Sequence, residues 1–270
     1  MPQLIHSASA GGLSFRSMAD QNADAPWNTF SSDDYWRRNY RELQAEDQEI
    51  IRRVSNFFIS AFAHRPLAQR GIDVGSGTNL YPALLMLPWT EQILLTDYSA
   101  SNISWLDDQL ADDTSDWTWQ PFWQQMRESK GYREVDSPRK LLREACVAEP
   151  EHAGIEQCSV FDLPTARWDL GTMFFVAESI TKKPEEFRNA VARFLGSLKP
   201  GAPFAAAFMA GSDGYEVART VYPAVPITTD DVRRHLTELG AGELSVEMPA
   251  TEHRVRHGYT GMIVATGFAR

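Results

Sequence analysis

The chain has 270 residues, 43% of them hydrophobic and 23% charged, which is typical of a globular protein with one sizeable core. Its formal net charge of −10 disfavours nucleic acid as a partner, and no apolar run approaches the ~20 residues that cross a bilayer. Cys146 and Cys158 show no metal-ligand spacing, so we expect a cytoplasmic protein with a small-molecule partner, no membrane partner and no metal, in an oligomeric state that the sequence leaves open.

The first 30 residues are rich in Ser, Ala, Gly and Asn and lack periodicity, which predicts a flexible N-terminal arm. Residues 35 to about 63 are predicted to be helical, because apolar side chains recur every three or four positions from Ile50 to Ala61. This helical lid (31–65) is followed by a strand at 70–74, a helix at about 79–87, a strand at 92–97 and a helix at 99–110.

Residues 111–150 are too long for an ordinary connection and are predicted to be an insertion. Four aromatic side chains fall within seven of its positions, namely Trp117, Trp119, Phe122 and Trp123. They either line a substrate pocket or dock the insertion on the core, and the sequence does not separate these two interpretations.

The remaining chain alternates strands and helices, which predicts an α/β fold. Strands are expected at 155–160, 168–176, 203–209, 243–248 and 258–268, with helices at 184–198 and 229–239. We therefore predict a single domain over 31–270, a doubly wound Rossmann-like fold with a mostly parallel sheet and an antiparallel C-terminal hairpin. A ligand is expected at the carboxyl ends of the parallel strands.

The segment Gly71-Ile-Asp-Val-Gly-Ser-Gly77 predicts a strand that ends in a glycine-rich turn. Gly75 and Gly77 lack the side chains that would keep a ligand from the backbone, and the following helix start offers free amides. The third glycine of the GxGxxG dinucleotide fingerprint is absent, which disfavours a nicotinamide-dependent oxidoreductase. Asp73 instead completes a (D/E)xGxG pattern, in which an acid suits the cationic groups of S-adenosylmethionine (SAM).

Asp97 ends the second predicted strand about twenty residues after the turn. A carboxylate at that position can accept hydrogen bonds from both hydroxyls of a ribose. The turn and Asp97 together predict SAM as the cofactor and S-adenosylhomocysteine (SAH) as its product.

These motifs resemble those of the nicotinamide / phenylethanolamine / thioether methyltransferase family. The family motif Ile-Asp-Ile-Gly-Ser-Gly-Pro-Thr-Ile-Tyr stands here as Ile72-Asp-Val-Gly-Ser-Gly-Thr-Asn-Leu-Tyr81, and its Thr-Asp-Tyr-Ser-x-x-Asn is unchanged in Thr96-Asp-Tyr-Ser-Ala-Ser-Asn102. An upstream pattern matches Asp34-Tyr35 and Tyr40. The likeness extends from about residue 33 to the C-terminus, loosely between 111 and 155.

The resemblance implies a SAM-dependent small-molecule methyltransferase with assigned site residues. Tyr40 and Tyr81 would contact the methionine end of SAM, while Tyr35 would belong to the lid with its ring against the acceptor. The alternative for each tyrosine is a half-buried core ring with a satisfied hydroxyl. The other expected cofactor-binding residues are Asp73, Gly75, Ser76, Gly77, Asp97, Tyr98, Asn102, Ser159 and Val160.

The sequence departs from the family pattern at two places. The family's Cys-Asp-Val is Cys158-Ser-Val160 here, so contact with the adenine amino group falls to Ser159 or to Asp162. The acid that follows strand five in amine-methylating members is missing, since no acid occurs before Asp213. That absence disfavours a nicotinamide-like or phenylethanolamine-like acceptor.

Glu178 lies at the carboxyl end of the fourth predicted strand, where it is expected to face the active site. We predict that it is catalytic and takes the acceptor's proton or holds a cationic acceptor. The alternative is a structural carboxylate that caps the next helix or pairs with Lys182 or Lys183.

The sequence thus predicts methyl transfer from SAM to the nitrogen of a small amine or heteroaromatic acceptor. One alternative is C-methylation of an aromatic such as an indole, for which residues 117–123 would supply an apolar pocket. Another alternative is a non-catalytic SAM-binding module.

Overall fold

The computed structural model describes residues 21–111, 117–146, 154–250 and 258–270. Its main sheet has seven strands in the order β3-β2-β1-β4-β5-β9-β8. The strands are β1 (Ala68–Val74), β2 (Thr90–Asp97), β3 (Ile155–Gln157), β4 (Leu170–Phe174), β5 (Pro203–Ala210), β8 (Gly242–Glu247) and β9 (Gly261–Phe268). The first five pair in parallel, whereas β9 pairs antiparallel with both β5 and β8, so the predicted mixed sheet is confirmed.

Helices cover both faces of the sheet, as a mostly parallel sheet requires. They are α1 (Ser32–Asn39), α2 (Ala45–Ala61), α3 (Tyr81–Met86), α4 (Ala100–Ala111), α5 (Gln120–Met126), α6 (Pro138–Ala145), α7 (Pro184–Ser197) and α8 (Thr229–Glu238). Side chains from α2 to α6 build one core, and side chains from α7 and α8 build a second core on the opposite face. Strands β4 and β5, which are covered on both faces, are therefore buried along their whole length.

The predicted lid helix is two helices, because the chain leaves the helical conformation at Tyr40 (φ −130°, ψ 2°). This break turns α1 away from the sheet and buries the Tyr40 ring in the core. Of the two lid helices, α2 is the one that packs against the strands. The covering part of the lid is therefore α1 and the segment before it.

Residues 21–30 differ from the predicted flexible arm. They contain two short 3-10 turns, Asn22–Asp24 and Trp27–Thr29, and they bury the side chains of Trp27 and Phe30. Two aromatic side chains in a polar segment leave no periodic pattern, which is why the sequence does not indicate this order. The rest of the predicted arm, residues 1–20, lies outside the described residues.

The aromatic block of the insertion docks it on the core. Trp119, Phe122 and Trp123 are fully buried, and α5 packs against α2 and α3. Phe122 stacks on Tyr81 with ring centroids 5.5 Å apart. Of the two interpretations left open by the sequence, packing therefore applies to these three side chains. Positions 112–116 and 147–150 of the predicted insertion are outside the described ranges.

A two-stranded hairpin, β6 (Gly214–Val217) and β7 (Thr220–Pro223), stands apart from the main sheet and was not predicted. Its two-residue turn is Ala218-Arg219, with φ of 48° and 68°. Such turns usually carry Asn-Gly, because glycine and asparagine tolerate positive φ. The sequence therefore lacks the usual signal for this hairpin.

The described residues carry neither of two features that would point to other functions. None of their helices is both long enough and apolar enough to cross a membrane. Within the same ranges, no group of three or more His, Cys, Asp and Glu side chains is arranged to hold a metal ion.

Candidate active site

The glycine turn lies at the carboxyl end of β1, beside the point where the strand order reverses between β1 and β4. This reversal opens a crevice in doubly wound sheets. Gly75 and Gly77 have φ of 66° and 55°, a region that side chains disfavour. A Cβ on Gly75 would also lie 2.5 Å from the Cγ2 atom of Val176. Both backbone conformation and space therefore require glycine at position 75.

Asp97 ends β2 and faces this turn. Its Oδ2 accepts a hydrogen bond from the Gly77 amide at 2.9 Å, and its Oδ1 accepts from the Ser99 amide at 2.8 Å and from Asn102 Nδ2 at 3.1 Å. Burial raises the pKa of Asp97, while these donors favour its charged form. Of these three bonds Oδ1 accepts two and Oδ2 accepts one, so Oδ2 is the better placed to accept from a ligand hydroxyl.

Asp73 is buried behind the turn instead of lining the crevice. Its Oδ1 accepts a hydrogen bond from Thr172 Oγ1 at 2.7 Å, whereas no described residue bonds its buried Oδ2. Burial raises the pKa of Asp73 to about 7, and the nearby Asp97 acts in the same direction. Two carboxyl groups thus lie beside the turn, and a cationic ligand would favour their charged forms.

An inner cavity of about 110 Å³ opens between the glycine turn and the ends of β2 and β4. Most predicted cofactor-binding residues line it, namely Tyr40, Gly75, Ser76, Gly77, Asp97, Tyr98, Asn102, Ser159 and Val160. Asp162, the alternative to Ser159, does not belong to this lining. The Ser159 hydroxyl accepts a hydrogen bond from the Phe161 amide at 3.2 Å and so fixes the short turn that carries Val160.

The segment 22–32 covers the inner cavity and is held by the start of α4. Ser99 Oγ donates to the Trp27 carbonyl at 2.7 Å, and Ser101 Oγ donates to the Phe30 carbonyl at 2.9 Å. Ser32 Oγ donates to Asn102 Oδ1 at 2.8 Å. The motif that carries Asp97 therefore also fastens the cover.

The residues that line the inner cavity have the chemistry that SAM requires, but the cavity is smaller than a pocket for a ligand of that size. It combines a glycine turn without side chains at positions 75 and 77, the Asp97 carboxylate and the unbonded Asp73 oxygen behind the turn. Ligand pockets typically measure about 300–1,000 Å³, which is more than the 110 Å³ of this inner cavity. Because the segment 22–32 contributes Asn22, Trp27 and Phe30 to the lining, a shift of that segment would enlarge the cavity.

The two tyrosines that were expected to contact SAM differ in whether they reach the inner cavity. Tyr40 lines the inner cavity, but Tyr81 is fully buried behind it. The Tyr81 hydroxyl donates to Asp47 Oδ1 at 3.1 Å, and burial raises the pKa of Asp47 to about 7. Tyr81 thus differs from the implied cofactor contact and supports Tyr40, whose ring meets its own edge-on at 6.3 Å.

An outer cavity of about 840 Å³ lies between α1 and the β6–β7 hairpin. Tyr35 and Tyr215 line both cavities, with ring centroids 6.1 Å apart, and so mark the place where the two cavities meet. Arg38 on α1 donates from Nη1 to the Glu216 carbonyl at 3.1 Å, which ties the cover to the hairpin. Asp213 also lines the outer cavity. An acid is therefore present at this cavity even though none directly follows strand five.

Glu178 differs from the prediction that it faces the site. Its side chain is fully buried, and its Oε1 accepts from the Met209 amide at 2.8 Å and from Ser179 Oγ at 3.2 Å. Among the described residues, the inner cavity is lined by Ser179 and Ile180 but not by Glu178. The polypeptide turns after β4, so its carboxylate points back toward β5.

Several cavity residues were missed by the sequence reasoning. Trp27 and Phe30 lie in the predicted arm, and Tyr215 lies in the hairpin that has no turn signal. Phe175 follows β4 with a φ of 61°, which is rare for an aromatic residue, and lines the inner cavity. The segment 215–222 is rich in aromatic and β-branched residues, with Tyr215, Val217, Val221 and Tyr222. That composition is the sequence signal that could have indicated strands here.

Comparison with known proteins gives a family match over most of the chain. The profile of the NNMT/PNMT/TEMT family matches residues 20–266. This match confirms the resemblance, and with it the prediction of a SAM-dependent enzyme that methylates a small molecule. A search of curated protein sequences found no match.

Solved structures confirm the fold. Magnesium protoporphyrin IX methyltransferase from Synechocystis PCC 6803 with bound SAH superimposes with a TM-score of 0.52 at 12% identity, over 89% of this chain and 95% of that one. Its SAM complex gives 0.50 at 14% identity, over 89% and 93%. The [4+2]-cyclase SpnF also gives 0.50 at 14% identity, over 80% and 79%. A cyclase in this group illustrates that the fold alone does not define the reaction.

Proposed function

Because this chain belongs to the NNMT/PNMT/TEMT family of SAM-dependent N-methyltransferases, we propose that it methylates the nitrogen of a small amine or heteroaromatic acceptor. The inner cavity would hold SAM, and the outer cavity would hold the acceptor. The observation that carries this proposal is the meeting of the two cavities at Tyr35 and Tyr215, beside the glycine turn. An acceptor in the outer cavity would reach a donor in the inner one there.

We assign the cofactor contacts as follows. Asp97 would accept a ribose hydroxyl, while the backbone at Gly75, Ser76 and Gly77 would border the methionine end together with Tyr40. Tyr98, Asn102, Ser159 and Val160 would surround the nucleoside. Asp73 would act from behind the turn through its unbonded oxygen, and Tyr81 by supporting Tyr40.

SAM, when bound, supplies a methyl group activated by a sulfonium. The acceptor nitrogen forms the new N–C bond as the C–S bond breaks, and its proton then needs a base. Tyr35 and Tyr215 would orient the acceptor and exclude water, and well-oriented reactants can lower a barrier by roughly 7–11 kcal/mol. An acceptor that arrives as an ammonium would first give a proton to Asp213 or Glu216, which frees the lone pair that attacks the methyl group.

The N-methylation proposal is favoured over C-methylation of an aromatic ring. The apolar pocket that an indole would need was attributed to residues 117–123, yet Trp119, Phe122 and Trp123 are buried in the core and line neither cavity. The carboxylates in the outer cavity lining, in contrast, suit a basic nitrogen.

We also propose that residues 31–270 act as one methyltransferase domain, since the seven strands form one continuous sheet. A cytoplasmic location stays a proposal too, supported by the free thiols of Cys146 and Cys158.

Replacing Asp97 tests the cofactor site. Asp97→Ala should lower the affinity for SAM and SAH by about 1–3 kcal/mol, because a ribose hydroxyl loses its charged partner. Isothermal titration calorimetry measures this change. Asp162→Ala is the matched control, since that carboxylate does not line the cavity, and its affinity should be unchanged. Equal affinities for both variants would remove Asp97 from the site.

The reaction itself is tested by mass spectrometry. The enzyme, SAM and a panel of small amines, heteroaromatics and indoles should give products heavier by one methyl group, and fragmentation should locate that group on nitrogen. Methylation of ring carbon alone would contradict the proposal. Binding of SAM without any product from the panel would favour a non-catalytic module.

A further inference from the structure

The charged side chains of the outer cavity fall into two sets. Three are cations, Arg38, Lys182 and Arg219, and three are acids, Asp34, Asp213 and Glu216, so the lining has no formal net charge. A lining of this kind disfavours a ligand with a large charge of either sign and favours one that carries both signs.

Arg219 is the most distinctive member of this lining. It is exposed to the cavity at the tip of the β6–β7 hairpin, and its guanidinium makes no hydrogen bond or ion pair with any described residue. Arg38, on the facing helix, uses one of its five N–H donors on the Glu216 carbonyl and keeps the others. Two guanidinium groups thus belong to the lining of one cavity.

The backbone at Arg219 is held at an energetic cost. Ala218 and Arg219 both have positive φ, in a two-residue turn that Asn-Gly would form without strain. Strain retained at a particular residue is a reason to look for a function there. Glycine at position 219 would relieve the backbone but would remove the guanidinium.

We propose that the acceptor carries a carboxylate, which Arg219 and Arg38 bind, so that the substrate class is that of amino acids and similar zwitterions. The planar guanidinium pairs with a carboxylate through two parallel hydrogen bonds. Asp213 and Glu216 lie in the same lining for the amino group, and Tyr35 and Tyr215 for an apolar body. The inference rests on the proposed function, since it assigns the acceptor of the same site.

Matched ligand pairs that differ only in the carboxylate test this inference. SAH-saturated protein is titrated with L-tryptophan and tryptamine, L-phenylalanine and phenethylamine, and L-histidine and histamine. We expect the carboxylated member to bind at least tenfold more tightly in one or more pairs. The SAH titration that precedes these measurements tests the cofactor site, so failure of the proposed function is seen separately.

Variants connect this preference to Arg219. Arg219→Ala should abolish the tenfold preference, whereas Arg37→Ala, on the same helix as Arg38 but outside the cavity lining, should retain it. The double variant Ala218→Asn, Arg219→Gly should raise the unfolding midpoint and also lose the preference, which separates binding from misfolding. The inference is overturned if no pair shows a preference for the carboxylate, or if the preference survives in both Arg219 variants.

Discussion

Gly75 holds a φ of 66° directly beneath Val176, so two independent constraints act on one residue. We expect Gly75→Ala to lower the free energy of unfolding by at least about 1–2 kcal/mol, the cost of a left-handed alanine, and to abolish SAH binding. Urea denaturation and calorimetry measure the two effects. Gly196→Ala in α7, where an added Cβ meets no atom within 4 Å, should instead be neutral or stabilising. Similar behaviour of both variants would contradict this account.

Glu178 is hydrogen-bonded to Ser179 and the Met209 amide and lines neither cavity, so we expect it to support the site without touching the acceptor. Glu178→Gln keeps an acceptor oxygen, so we expect a fall in kcat of less than tenfold with unchanged SAH affinity. The pH profile of kcat should also stay unchanged, because the carboxyl group does not exchange a proton with the substrate. A profile that shifts in the variant would restore Glu178 as a general base.

At the scale of elements, the covering segment 22–32 and the β6–β7 hairpin form one aromatic cluster. Tyr222 is central to it, with ring centroids 5.1 Å from both Trp27 and Phe30. Tyr222→Ala should lower the free energy of opening of the cover by at least about 1 kcal/mol, and hydrogen exchange at residues 22–30 should become faster. Val221→Ala, at the adjacent and partly exposed position, is the control. Equal exchange in the two variants would show that the hairpin does not hold the cover.

Elements differed in how far the sequence could predict them. Strands β1 and β2 and the turn at Gly75 were predicted because short-range patterns of apolar residues and glycines specify them. The order of residues 22–30 and the hairpin depend on contacts between segments about 190 residues apart, such as Trp27 with Tyr222. Positions such as Ala218-Arg219 even oppose the local turn preference, so no local rule identifies them.

For the molecule as a whole, the sheet and the location of the site followed from the sequence, while the directions of individual side chains did not. Asp97 was predicted to lie at the crevice and does, since the end of a parallel strand fixes its position. Glu178 and Tyr81 also lie near strand or helix ends, yet their side chains turn into the core, toward Met209 and Asp47. The direction in which a side chain points at the end of a strand or helix depends on its packing partners, and these come together only in the assembled core.

The whole molecule should also lose stability as pH rises through the acid range. Burial raises the pKa of both Asp47 and Asp73 from 3.8 to about 7, so the folded state binds more protons than the unfolded state between about pH 4 and 7. Their contribution to the free energy of unfolding is therefore fully present below about pH 4 and is lost as pH approaches 7. Urea denaturation at pH 4.5, 6 and 7.5 measures this slope.

Asp47→Asn and Asp73→Asn remove the proton uptake and should flatten that slope. Asp231→Asn is the control, because its hydrogen bonds with Thr228 lower the pKa of Asp231 and place its titration below this range. Asp231→Asn should reduce stability by a similar amount at pH 6 and 7.5, since it weakens the cap of α8 at both values. An unchanged slope in the Asp47 and Asp73 variants would mean that both carboxyls are ionised in the folded enzyme across this range, and Asp73 would then carry its full charge behind the turn before any ligand binds.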